Sequence, residues 1–414
     1  MSGKAKFAMC LAGAIAPLLL AMAGTASADE KFEKSSTISS VSTKSFDIGF
    51  VDPVAGVYVL ADRTNKAIDV IDTSTNTLIN QLKPGFVGAV LCPDGTANDC
   101  AGPDGVLIVN HTEVWVGDGN STVWVLHLQT GKVIDKISTA IDPKDPTRAD
   151  ELCYDPNDHI ILMANDASSP SPFVTFISST SHAVLGRIIM DGGSGTGHGP
   201  QAAGIEQCQW SPRTGKFYIN LPVAMIGATK IGTVLVIDPV SMRIERTWTI
   251  DPTKCTQPQG MAIGPAPQIL LGCRGSVGSV IIDESLATAT GPASIIHSLP
   301  GLGGNDEVWY NPGDNQYFLA NTAAGLLGVA DPNGTPDKPF AATRVGSHSV
   351  AADPVRNQVY VPFNDGTGIG VYTAVGTDDP SICVGQGAPV ISMGNEGTGQ
   401  PVLLRVVCPP KANN

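Results

Sequence analysis

One phrase recurs seven times along this chain: an acidic or amide residue, a short apolar run, an Asp-Pro-like turn, and a second apolar run ending in a polar pair. The first copy spans residues 47–65 with Asp52-Pro53 at its turn, and later copies start near Gly105, Asp150, Glu206, Gln259, Asp306 and His348. Starts separated by 42 to 58 residues mean one supersecondary unit stacked against copies of itself. Such a unit cannot bury both its faces alone, so the copies must pack on one another.

The first copy shows what the unit is. Apolar runs at 48–51, 56–61, 67–71 and 78–82 are separated by Asp52-Pro53, by Asp62-Arg63-Thr64-Asn65 and by Asp72 to Asn76. Runs rich in Val, Ile, Tyr and Thr between Gly, Asn, Asp and Pro clusters read as short antiparallel strands, and no stretch after residue 28 keeps a helical period over three turns. We therefore expect an all-β chain, a seven-bladed β-propeller with four-stranded antiparallel blades. Closing the ring takes a strand from the opposite terminus, and either 37–41 or 402–407 has the composition to supply it.

Residues 1–28 carry Lys4 and Lys6, an apolar stretch over 7–23, and Ala26-Ser27-Ala28 before Asp29-Glu30, the pattern of a cleaved secretory signal peptide. A retained anchor is the competing reading of that stretch. The expected mature protein is one propeller domain, 29–414, with disulfide-braced loops and a C-terminal closing segment, periplasmic or secreted. It keeps eight cysteines, an even number that in an exported chain points to disulfides. Cys92 and Cys100 bracket a turn-rich loop, and pairing by neighbours then joins Cys153 to Cys208, Cys255 to Cys273, and Cys383 to Cys408. No CxxC or CxxCH spacing supports a thiolate metal site or covalent haem.

Losing Lys4 and Lys6 takes the formal charge from −13 to −15. Such a surface repels phosphate backbones and anionic lipid, which argues against nucleic acid and against membrane insertion after signal cleavage. Charged residues make up only 15%, while Gly and Pro number 46 and 31, the composition of a turn-rich β protein rather than a disordered or coiled-coil one.

Residues 57–65, Val-Tyr-Val-Leu-Ala-Asp-Arg-Thr-Asn, followed by 67–78, Ala-Ile-Asp-Val-Ile-Asp-Thr-Ser-Thr-Asn-Thr-Leu, resemble the YVTN-type β-propeller repeat of bacterial exported and surface-layer proteins. Looser copies lie at 216–244 and 359–372. The resemblance implies the propeller fold. It leaves function open, because that broad group houses binding proteins, scaffolds, lactonases and streptogramin-lyase-like enzymes.

In a propeller blade the innermost strand lines the central channel. The loop leading into it and the loop between the second and third strands meet on one face. The lead-in loops carry Asp47, Asp150, Glu151, Glu206, Gln259, Asn305, Asp306, Glu307 and His348. The second-to-third loops carry Arg63, Asn65, Asp118, Asn120, Asn165, Asp166, Asn220, Arg274, Asn321, Asn364 and Asp365. Gathered carboxylates need protons or a positive charge, so this mouth is expected to bind a small polar ligand or a divalent cation such as Ca²⁺ or Mg²⁺. The expected metal ligands are Glu206, Asp306 and His348. The bland alternative is that Asn and Asp here make Asx turns, an account that does not cover Glu or His. His198, in the glycine-rich insertion 191–200, is read either as part of a mobile lid or as a solvated loop.

No GxSxG or HExxH motif and no phosphate cradle is present. The first functional reading is an exported, monomeric binding or scaffold protein that uses this face for a small molecule, an ion or a protein partner. The second is a metal-assisted hydrolase or lyase in which His348 or His198 moves a proton. The third is a structural envelope component.

Overall fold

The computed structural model describes residues 31–375, apart from 145, 276, 286–289 and 339, together with the backbone of 390–393 and 404–407. The expected signal peptide and the expected Cys383–Cys408 pair lie outside the described residues.

Seven antiparallel sheets follow one another along the chain. Blade one is Gly49–Asp52, Val57–Asp62, Ala67–Asp72 and Thr77–Leu82, each strand paired with the next. The Asp-Pro turns explain how its first two strands are joined. Asp52 Oδ1 accepts the amides of Val54 and Ala55 at 2.9 Å each, Asp155 accepts Asn157 N at 2.8 Å, and Asp353 accepts Val355 N at 2.8 Å. The proline that follows each Asp presets the φ that such an Asx turn needs.

Side-chain alternation along the second strand decides how the blades stack. Val57, Val59 and Ala61 pack toward Val114 and Val116 of blade two, whereas Tyr58 and Leu60 pack toward Tyr360 and Ile369 of blade seven. The same division repeats round the molecule, so that each of seven apolar clusters is shared by two consecutive blades, and the cluster between blades seven and one closes the circle. Tyr58 and Tyr360 stack at 4.7 Å across that last junction. With neighbours on both faces, the inner strands are apolar on both sides, as in the fully buried Val57–Asp62 and Ile160–Asn165. Outer strands such as Val133–Ser138 face water along much of their length.

Closure comes from the N-terminal side rather than from a C-terminal segment. Lys31–Ile38 adds antiparallel to Ile369–Val375 as the outer strand of blade seven. Leu404–Val407 pairs instead with Val390–Met393 in a separate two-stranded sheet. Blade four also departs from the plain unit. Its second and third strands, Lys216–Ile226 and Thr229–Asp238, run on as a hairpin beyond the sheet, and Thr290–Pro292 adds a short parallel strand to its outer edge.

Three of the expected disulfides are formed: Cys92–Cys100, Cys153–Cys208 and Cys255–Cys273. The second ties the innermost strands of blades three and four, Leu152–Asp155 and Cys208–Ser211. Disulfides of this kind fit an oxidising compartment. Among the described residues no helix is long and apolar enough to cross a membrane.

Candidate functional site

The lead-in loops converge as the blade geometry requires. Their side chains form two halves of one mouth that differ in how their charge is met.

The first half belongs to blades seven, one, two and three. Arg63, only 4% exposed, donates from Nε to Asp104 Oδ1 at 2.9 Å and from Nη2 to both Asp104 and Asp47. Arg148 Nη2 lies 2.8 Å from Asp150 and 3.3 Å from Asp166. His348 stacks on Phe46 at 4.7 Å, and its ring nitrogens face Gly346 O at 2.9 Å and Phe46 O at 3.2 Å, with Asp47 at 3.4 Å from Nε2. Burial works against a charged imidazole, but the Asp47 carboxylate wins and raises the His348 pKa to about 9. For Asp47, burial is outweighed by Arg63 and His348, which hold its carboxyl well below the usual range. One oxygen from each of Asp47, Asp104 and Asp150 lies within 4.8 Å of the others. The positive charge among them already comes from Arg63 and Arg148.

The second half spans blades three to six and is not neutralised in this way. Glu151 and Glu307, 6% and 4% exposed, hydrogen-bond to each other. Glu206 accepts from the neutral amide of Gln259 at 2.8 Å. Arg274, exposed, reaches Gln259 Oε1 at 3.3 Å. Neither Glu206 nor Asp306 has an ion pair among the described residues. Burial, reinforced by the neighbouring acids, pushes Glu151, Glu206 and Glu307 well above the ordinary carboxylate range. Asp306 is raised by burial, and His348 and Arg274 only partly offset it. Asp150, at the seam of the two halves, is raised to about 7 by burial against the pull of Arg148.

Local backbone irregularity aims these groups. The register slips between Pro258 and Met261 in blade five and between Asn305 and Val308 in blade six. Bulges of this kind re-aim side chains at the ends of strands, here Gln259 and the pair Asp306 and Glu307.

Several expected site residues do other work. Asn305 is fully buried and bonds Ser279 Oγ at 2.9 Å and Leu302 O at 2.5 Å. Asn321 donates to Gly303 O at 2.6 Å and accepts Ala324 N at 2.8 Å, the Asx role. Asn220 holds Gln259 O and Gly260 O at 2.8 and 3.0 Å, and so positions the lead-in loop of blade five. His198 lies at the outer edge of blade three, bridged to Ile189 and bonded to Asp191 at 3.0 Å, rather than over the mouth. Of the expected metal ligands, Glu206 and Asp306 keep open carboxylates, whereas His348 has both nitrogens engaged.

Asp104 and Arg148 belong to the mouth but were not among the expected residues. Asp104 directly precedes Gly105, the start of the second copy, and so occupies the lead-in position that Asp47 holds in the first. Arg148 stands two residues before Asp150, outside the phrase, and no periodic signal marks it.

These features define a seven-bladed β-propeller with an acid-rich mouth on its lead-in face. No family model and no curated protein matches the chain. Solved structures share the fold. Hydrazine synthase of Kuenenia stuttgartiensis is 12% identical with a TM-score of 0.58, over 81% of this chain and 97% of that one. A chain of a mitotic checkpoint complex is 11% identical with a TM-score of 0.57, over 91% and 99%. The Pan2 WD40 domain of Neurospora crassa is 11% identical with a TM-score of 0.55, over 82% and 91%. At such identity the likeness is one of fold alone, and function has to be argued from the site.

Proposed function

We propose that this protein is an exported propeller of the binding type, and that the un-neutralised half of its mouth takes a cation, either a hard divalent ion such as Ca²⁺ or the ammonium group of a small polar ligand. The observation that carries this reading is the contrast between the two halves. Around Asp47, Asp104 and Asp150 the protein supplies its own guanidinium and imidazolium partners. Around Glu206 and Asp306, both part-exposed, it supplies an amide and more carboxyl groups, and His348 and Arg274 only partly offset the burial of Asp306. Carboxyl groups crowded in this way either hold protons or receive a positive charge from outside. The metal-assisted hydrolase or lyase reading gains nothing from His348, because both of its ring nitrogens already face backbone carbonyl oxygens, Gly346 O and Phe46 O.

Calorimetric titration of the full chain with CaCl₂, MgCl₂ and tetramethylammonium chloride tests the proposal. Saturable binding of at least one cation is expected, with proton release that makes the apparent enthalpy depend on the buffer. Glu206→Gln and Asp306→Asn should each weaken it about ten-fold or more. No saturable binding of any of the three, or binding indifferent to both substitutions, overturns it.

A further inference from the structure

The innermost strands enclose a cavity of about 510 Å³. It runs from Glu151 and Gln207, beneath the lead-in loops, to Pro53, Val54 and Pro354 in the turns of the opposite face. Among the described residues Glu151 is the one shared by its lining and by the acidic mouth. Phe50, Tyr154, Trp210, Trp309 and Tyr310 all line it, and among the described residues no Lys or Arg does. Among the described residues the single basic group of the lining is His111, held by Asp52 at 2.8 Å near the outer end.

We propose that this cavity is a second binding site, separate from the mouth, and that it takes an apolar ring-bearing amine whose body lies between the inner strands and whose ammonium group faces Glu151. Size fits such an occupant, since pockets of roughly 300 to 1,000 Å³ with a mostly apolar lining and a few convergent polar groups hold drug-sized ligands. The sign of the charge follows from the lining. An ammonium group meets aromatic faces and a carboxyl group, both of which attract it in a dry site. An anion finds neither a guanidinium nor a lysine among the described lining residues. The walls are held in advance: Cys153 and Cys208 form a disulfide within the lining, and Phe50 meets Trp309 edge-on at 5.8 Å across blades one and six.

The probes are propranolol as the ring-bearing amine, 2-naphthol as a ring without ammonium, and 1-anilinonaphthalene-8-sulfonate as an anionic ring compound. Each is titrated into the full chain and followed by tryptophan fluorescence and calorimetry. Propranolol should bind at one saturable site, with 2-naphthol about ten-fold weaker and the anion without saturable binding. Val54→Trp, at a position 44% exposed at the outer end and therefore harmless to the core, should weaken propranolol about ten-fold by narrowing the way in. Glu151→Gln should weaken propranolol while leaving 2-naphthol within about three-fold.

Absence of saturable propranolol binding, or equal binding of the anion, overturns the proposal. Loss of propranolol in Glu206→Gln with none in Val54→Trp would place the amine at the mouth and also overturn it. Because Val54 lies on the face away from Glu206, this site and the cation site can fail independently.

Discussion

Glu151 of blade three and Glu307 of blade six hydrogen-bond to each other inside the ring. Two carboxyl groups that meet in this way share a proton, because ionising both would place like charges together away from water. The folded state therefore holds protons that the unfolded chain releases above its ordinary Glu value of 4.5. Asp150, raised to about 7, and His348, raised to about 9, act in the same direction. Stability falls with rising pH wherever the folded state binds more protons, so it should be greatest near pH 5 and decline toward pH 9. Each retained proton contributes about 1.4 kcal/mol per pH unit. Glu307→Gln keeps a hydrogen-bonding group and removes one such proton, so it should flatten the decline. Urea denaturation at pH 5, 7 and 9 measures both, and a stability that rises across this range contradicts the assignment.

Arg63 is a second point of leverage. Its guanidinium bridges Asp47 and Asp104 while nearly buried. Arg63→Met removes the shared partner of Asp47 and Asp104 and should cost on the order of 3–5 kcal/mol. Arg63→Lys should recover little of that, since an ammonium cannot reproduce the forked contact to Asp104. Adding Asp104→Asn to Arg63→Met should restore part of the loss. Denaturant melts of the wild type, Arg63→Met, Arg63→Lys, Asp104→Asn and the double variant decide it, and additive effects would show that the contacts are not coupled.

The disulfides should differ in worth. Cys153–Cys208 closes a segment of 55 residues and Cys92–Cys100 one of 8. Constraint of the unfolded chain then contributes about 4 kcal/mol for the first and about 2.5 kcal/mol for the second. Double serine variants of each pair, compared by thermal and urea unfolding, should rank in that order. The reverse ranking would mean that native-state packing at the shorter loop outweighs chain entropy.

Closure by Lys31–Ile38 makes the N-terminal strand indispensable. Phe32, 2% exposed, lies edge-on to Phe318 at 5.0 Å and packs in the cluster between blades six and seven. Phe32→Ala should cost about 3–5 kcal/mol. Deleting residues 31–38 uncovers the edge of Ile369–Val375 and should produce concentration-dependent association, visible by light scattering. A deletion variant that melts like the intact chain would show that another segment can close the ring.

Much of this architecture was legible because its causes are local. A two-residue side-chain period, Asp-Pro turns and a repeat of roughly fifty residues are properties of contiguous stretches, and so is the tendency of cysteines near in sequence to pair. The mouth was legible only in outline. Blade geometry says that Asp47, Glu206, Asp306 and His348 come to one face, yet it does not say which carboxylates will find a cation. Asp104 escaped notice although it holds the same position as Asp47, and Arg148 carries no mark at all.

Chain order and alternation were enough to settle that this is a ring of stacked β sheets with acids at one end. Only the folded molecule decided which terminus seals that ring, that Arg63 and Arg148 quench one side of the mouth, that Glu151 meets Glu307, and that His348 is held beside Asp47. The reason is distance. Strand formation depends on neighbours a few residues away, whereas charge state and pairing depend on ångström-scale separations between groups brought together from opposite ends of the chain.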